Sequence, residues 1–179
     1  MKLPRTLRLD PSDTVVFGRA AEPGEWTVPG GFCFWDENPA ALTGKRRQEF
    51  RAGFLGIGSF GFSTLVEVAE ATEAEHEAAL EALAEHIRLA YGAPDAAAAR
   101  AAALEELGFA RSLCDHPPGT VLALSRAVEA GAVRERFRTL HRRETPHHDF
   151  GRLPVFGIVA VEGEEDEPEH PDLTEMLKR

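Results

Sequence analysis

Two cysteines, two methionines, two tryptophans and one tyrosine are present in 179 residues. Thiol, thioether, indole and phenol side chains are therefore scarce. Cys33 and Cys114 lie far apart in the chain, and no C-x-x-C occurs. With no export signal, two free thiols are expected rather than a disulfide. No apolar run reaches the length of about 18 residues that a membrane-spanning helix needs. Behind Met1-Lys2-Leu3-Pro4-Arg5 there is no apolar stretch of export-signal length, so a cytoplasmic protein without membrane contact is expected. No P-loop, G-x-S-x-G or H-E-x-x-H occurs, and neither internal repeats nor an interdomain linker interrupt the chain. Lysine is rare as well, since all but three of the 20 basic residues are arginine.

Acidic charge is plentiful and unevenly placed. The formal net charge is −10. Residues 162–179 hold eight acids (Glu162, Glu164, Glu165, Asp166, Glu167, Glu169, Asp172 and Glu175) against Lys178 and Arg179, a net of −6. The rest of the chain is near neutral. This balance argues against nucleic acid as a partner. It divides the chain into a single domain over 1–161 and an acidic C-terminal tail over 162–179.

Periodicity predicts the elements. Residues 5–9, 14–17 and 31–35 read as short strands, separated by Asp10-Pro11-Ser12-Asp13 and by a loop rich in Pro and Gly. Asn38 and Pro39 open a helix that runs to about Arg51. Residues 60–68 read as one long strand. Thr72-Glu73-Ala74-Glu75 is a capping box, and Leu80, Leu83 and Ile87 follow at helical spacing. Gly92 and Pro94 stop that helix. Asp95 caps an alanine-rich helix ending near Gly108, whose thin apolar face predicts a surface position. Residues 109–115 alternate like a strand. Residues 120–129 read as a strand, and for residues 133–140 the pairing decides between a helix and the returning strand of a hairpin. A two-residue turn at Ala130-Gly131 sets Val128 against Val133, Arg126 against Glu135 and Leu124 against Phe137 on one face. It sets Ala127, Ser125 and Ala123 against Arg134, Arg136 and Arg138 on the other. Residues 142–152 read as loop and 154–161 as an apolar strand. The fold class expected is α+β: an antiparallel sheet of about six to eight strands, with helices over 39–51, 73–91 and 95–107 mainly on one side.

Several residue groups invite a functional reading beside a plain structural one. Gly56-Ile57-Gly58-Ser59-Phe60-Gly61 matches G-x-G-x-x-G. A dinucleotide site needs that motif between a strand and a helix, and here a strand follows it, so a tight loop is expected. Cys114, His116, His147 and His148, with His141 nearby, are ligand types that zinc and similar divalent metals prefer. Their spacing matches no metal motif, and a polar loop explains them equally. Cys33, set between Phe32 and Phe34, reads as a small core residue. Cys114 is the more reactive candidate because polar groups surround it in the sequence. Arg134, Arg136 and Arg138 point the same way on a strand and suit an anionic ligand or partner. Trp26 and Trp35 flank the Pro/Gly loop, where aromatics either line a pocket or staple the loop to the core.

The stretches Leu7-Arg8-Leu9-Asp10-Pro11-Ser12-Asp13-Thr14, Ala21-Glu22-Pro23-Gly24-Glu25-Trp26 and Phe54-Leu55-Gly56, with Gly61-Phe62-Ser63-Thr64-Leu65, resemble a small, mainly proteobacterial family of uncharacterised domains. So do Cys114-Asp115-His116-Pro117 and Gly119-Thr120-Val121-Leu122-Ala123-Leu124-Ser125-Arg126. The resemblance extends to about residue 160 and implies a single-domain bacterial cytosolic protein. It implies no activity.

Two functional classes follow. One is a non-catalytic binding or accessory protein without a cofactor. It would hold a protein or a small anionic ligand through Arg134, Arg136 and Arg138 or through the Trp26 and Trp35 region, and a homodimer is compatible with it. The other is a protein or enzyme that binds zinc or another divalent metal at Cys114, His116, His147 and His148.

Overall fold

In the computed structural model residues 1–141 and 160–161 are described. Their order is β1 (Lys2–Thr6), α1 (Ser12–Val16), β2 (Thr27–Val28), α2 (Gly44–Ala52), β3 (Phe54–Gly56), β4 (Phe62–Ser63) and β5 (Leu65–Glu70), then α3 (Glu73–Ala90), α4 (Ala96–Ser112), β6 (Val121–Glu129), β7 (Ala132–His141) and β8 (Ala160–Val161). Short 3-10 turns occupy Gly31–Phe34 and Pro39–Ala41. The α+β class is as expected, but the strands form two antiparallel sheets where one was expected. The larger runs β1-β5-β6-β7, with the two-residue β8 at its edge, and the smaller runs β2-β3-β4. Among the described residues no helix is long and apolar enough to cross a membrane.

The two sheets meet along β1. Arg5 bridges Trp26, Thr6 N–H donates to the Glu25 carbonyl at 2.8 Å, and Gly24 N–H donates to the Thr6 carbonyl at 3.2 Å. One hydrophobic cluster joins α3 and α4 to the smaller sheet through Leu83, Ile87, Ala103, Leu107, Val28, Leu55 and Ile57. A second fills one face of the larger sheet with Val66, Val68, Leu122 and Leu124, capped by Phe54 and Cys114. Apolar burial of this kind contributes about 25 cal/mol per Å² and is the main favourable term for the fold.

The capping box at Thr72 and Glu75 is formed. Thr72 Oγ1 accepts from Glu75 N at 3.2 Å, and the Glu75 carboxylate accepts from Thr72 N at 2.8 Å. The hairpin of β6 and β7 has the expected register, residue for residue. Its turn puts Ala130 and Gly131 at φ of 51° and 81°, the left-handed pair that matches the twist of two antiparallel strands.

Three expected strands are absent, each for a tertiary reason. Residues 14–17 belong to α1 and the extended residue after it. The Asp13 carboxylate is buried and accepts from Thr64 Oγ1 at 2.6 Å and from Thr64 N, which anchors the turn of helix. That bond also takes Thr64 out of any ladder, so the single strand expected over 60–68 breaks into β4 and β5. Residues 31–34 coil because Gly30 is left-handed, at φ 72°, and Cys33 N–H donates back to the Gly30 carbonyl. Residues 109–112 continue α4. Gly108 costs that helix about 1 kcal/mol, but Ala110 and Cys114 are buried beyond it. The helix expected over 39–51 is interrupted: Asn38 caps only the 3-10 turn, and α2 starts afresh at Gly44. The alanine-rich α4 is also not a surface helix. Ala99, Ala103, Leu107 and Ala110 are buried against the core, because alanine lets helices approach closely.

Arg126 closes the gap between the sheets. Among the described residues it is the largest fully buried side chain, at 1% exposure. Its guanidinium donates to the carbonyls of Phe50 and Gly53, both at 3.1 Å, to the Pro29 carbonyl, and to the Glu135 carboxylate. Arg126→Ala leaves those acceptors without donors and is expected to cost roughly 3–5 kcal/mol. Urea unfolding of the variant checks this, and a loss under about 1 kcal/mol would contradict the closing role.

Candidate binding face

Along β6 and β7 the larger sheet has one packed face and one open face, whereas nearer β1 Leu3 and Ala69 are buried on the side of Arg5 and Glu67. Leu122, Leu124 and Arg126 of β6 point to the packed side and are buried. Their neighbours Ala123, Ser125 and Ala127 point to the other side, opposite Arg138, Arg136 and Arg134. Side chains alternate across a strand, so three arginines at every second position stand on one face. All three are exposed. Arg136 pairs with Glu129 at 2.6 Å, with both side chains largely in solvent. The residues opposite the arginines, Ala123, Ser125 and Ala127, are small, and Leu65 and Val121 share their face. Toward β1 the same face carries the ion pair of Arg5 and Glu67 at 2.6 Å.

The other sequence candidates do not join this face. Trp26 is half-buried and packs against the main core, while Trp35 is 70% exposed. Cys114 is buried, and its Sγ donates to the Ala110 carbonyl at 3.5 Å. Burial pushes its thiol up to about 11, so the polar sequence around it does not activate it. Burial likewise pushes Cys33 up to about 11. The His116 carbonyl accepts from Lys2 Nζ at 2.7 Å. His147 and His148 lie outside the described residues. Among the described residues no three His, Cys, Asp or Glu side chains cluster closely enough to hold a metal ion.

The G-x-G-x-x-G segment joins β3 to β4 and is already filled. Glu25 Oε2 accepts from Gly58 N and Ser59 N, each at 2.9 Å, while its Oε1 accepts from Glu22 N. The backbone amides form an anion-binding concavity, and the anion is a carboxylate of this chain. Gly61 has its own reason to be glycine: a Cβ there would collide with the Ala20 carbonyl.

One group escaped the sequence reading. Glu106 on α4 lies beside Glu135 and Arg126. Burial first, then the Glu135 carboxylate, push it up to about 7, with Arg126 opposing. The inward-facing charge at Arg126, in a strand otherwise burying leucines, was the available signal for a polar cluster here. That Glu106 would join it depended on how α4 lies over the sheet.

The model of the family of unknown function DUF6505 matches residues 1–157. No curated protein and no solved structure matches the chain.

Two measurements test the electrostatics. An acid whose folded pKa is raised binds its proton more tightly in the folded state. Its favourable contribution is therefore complete below the ordinary value of 4.5 and is lost as pH rises toward about 7. Stability should fall across that interval, and Glu106→Gln should flatten the fall in urea unfolding followed against pH. At pH 8 a thiol with a pKa near 11 is only about one part in a thousand thiolate. Iodoacetamide should therefore label Cys33 and Cys114 slowly in the folded protein and rapidly in denaturant. Fast labelling of the folded chain would contradict their burial.

Proposed function

The chain belongs to DUF6505, a family of unknown function, and we propose that it works as a non-catalytic binding protein whose arginine-bearing face on β7 holds an anionic partner. The observation that carries this reading is the alignment of Arg134, Arg136 and Arg138, exposed on one side of one strand over small residues. Alternate residues of a strand repeat about every 6.8 Å. Carboxylates on alternate residues of an extended chain repeat at the same interval, so an extended acidic segment fits the row. Arginine suits the task because its planar fork binds a carboxylate through two parallel hydrogen bonds and stays charged at any physiological pH.

The test is binding of a fluorescent glutamate-rich peptide at low ionic strength. Exposed ion pairs contribute up to about 1 kcal/mol each, so Arg134→Gln/Arg136→Gln/Arg138→Gln should weaken binding by roughly tenfold or more. It should also reduce the dependence on salt while leaving the unfolding midpoint near that of the parent. Equal affinity of parent and variant would remove the arginine face as the site.

A further inference from the structure

A cavity of about 470 Å³ opens between the last turns of α4 and the start of β1. Small-molecule sites span roughly 300–1,000 Å³, so this volume is of the right order. Lys2, Gly108, Arg111, Ser112, Cys114 and Asp115 line it. Gly108, Arg111 and Ser112 are spaced i, i+3 and i+4 along α4, which puts them on one face of the helix. Lys2 comes from β1, and its Nζ donates to the His116 carbonyl at 2.7 Å. An ammonium has three N–H donors, so that bond fixes the charge and leaves two donors over. The Lys2 charge reaches the buried Cys114 thiol, where it opposes the effect of burial. Arg111 and Asp115 are exposed.

Gly108 is the lining residue that packing does not explain. Glycine is a poor residue for a helix interior. Gly108 is helical, and among the described residues an added Cβ would meet no atom within 4 Å. Neither a turn nor a close neighbour therefore requires it, and its effect is to leave that wall of the cavity open. The charges indicate the occupant, since two cations stand against one carboxylate. The C-terminal end of α4 does not call for a cation in the cavity. Its Phe109, Ala110 and Arg111 carbonyls already accept from Ser112 Oγ, Cys114 Sγ and Cys114 N. We propose that this cavity binds a small molecule through a carboxylate or phosphate group, with Arg111 as a forked donor, Lys2 as a fixed charge and Gly108 leaving room for the ligand's body. The lining comes from residues 1–2 and 108–115, so the site is separate from the arginine row of β7. Asp115 opposes an anion there and holds the affinity down.

Titrating the full chain with citrate and, separately, with inorganic phosphate tests the site, with amide NMR shifts as the readout. The Gly108, Ser112 and Asp115 amides should move together with at least one of the two anions. Movement with citrate alone identifies a carboxylate ligand, and movement with phosphate alone a phosphate ligand. Exposed ion pairs are each worth a few-fold in affinity, so Lys2→Gln/Arg111→Gln should weaken binding roughly tenfold and Asp115→Asn should strengthen it roughly threefold. Glutamine is chosen at position 2 because its amide can still donate to the His116 carbonyl. Gly108→Leu fills the cavity with a better helix former. It should abolish binding while the unfolding midpoint stays at or above that of the parent, which separates a blocked site from a lost fold. No movement of these amides with either anion, or shifts centred on β7 alone, would overturn the proposal. So would a Gly108→Leu variant that binds as the parent does.

Discussion

Arg126 is the point on which the two sheets depend. Among the described residues backbone pairing joins them along β1, through the bridge of Arg5 to Trp26 and the bonds of Thr6 with Glu25 and Gly24. On the far side the loop at Pro29, the end of α2 and the strand β6 come together with carbonyls pointing inward. Backbone acceptors buried away from water need donors. One guanidinium has five N–H groups in a fixed plane, and here it serves three carbonyls and a carboxylate at once. No apolar side chain can replace that function, although the neighbours of Arg126 on the same strand face, Leu122 and Leu124, are core leucines.

The same residue divides the hairpin into its two roles. By taking Glu135 inward, Arg126 assigns that face of β7 to the interior, with Phe137 packed against Phe54 and Phe109. Alternation then puts Arg134, Arg136 and Arg138 outside. The open face therefore follows from how the buried face is satisfied. Glu106 adds a charge-sensitive element to the interior: its carboxyl stands beside Glu135 and is held partly protonated near neutral pH by burial and by that neighbour.

Buried or half-buried acids elsewhere act as internal ligands. Asp13 holds Thr64, Glu49 accepts from Gly18 N at 2.8 Å, and Glu25 fills the glycine loop between β3 and β4. Each carboxylate satisfies backbone amides that short strands and turns leave unpaired. These bonds join residues 31 to 51 positions apart, and they hold together a first half of the chain in which regular strands are only two to six residues long. A domain of this kind, with short strands and long-range polar ties, is built from contacts that no local window contains.

That distinction separates what the sequence alone determined from what tertiary structure decided. The helix from Glu73 and the hairpin of β6 and β7, including its register and the side taken by each arginine, were legible because their causes are local. A capping box closes within four residues, and cross-strand pairs across a two-residue turn are set by turn geometry. The exposed row of Arg134, Arg136 and Arg138 was legible for the same reason, as the three arginines repeat with the period of the strand. Residues 14–17, 31–35 and 109–115 were misread as strands because alternation over a few residues is also compatible with a helical turn whose burial is settled elsewhere. Asp13 reaching Thr64, left-handed Gly30 and the burial of Ala110 and Cys114 under the sheet decided them. The split into two sheets and the environment of Glu106 likewise came from contacts between distant segments. Local pattern can name a side chain's direction within its own element, but only packing chooses what that side chain meets.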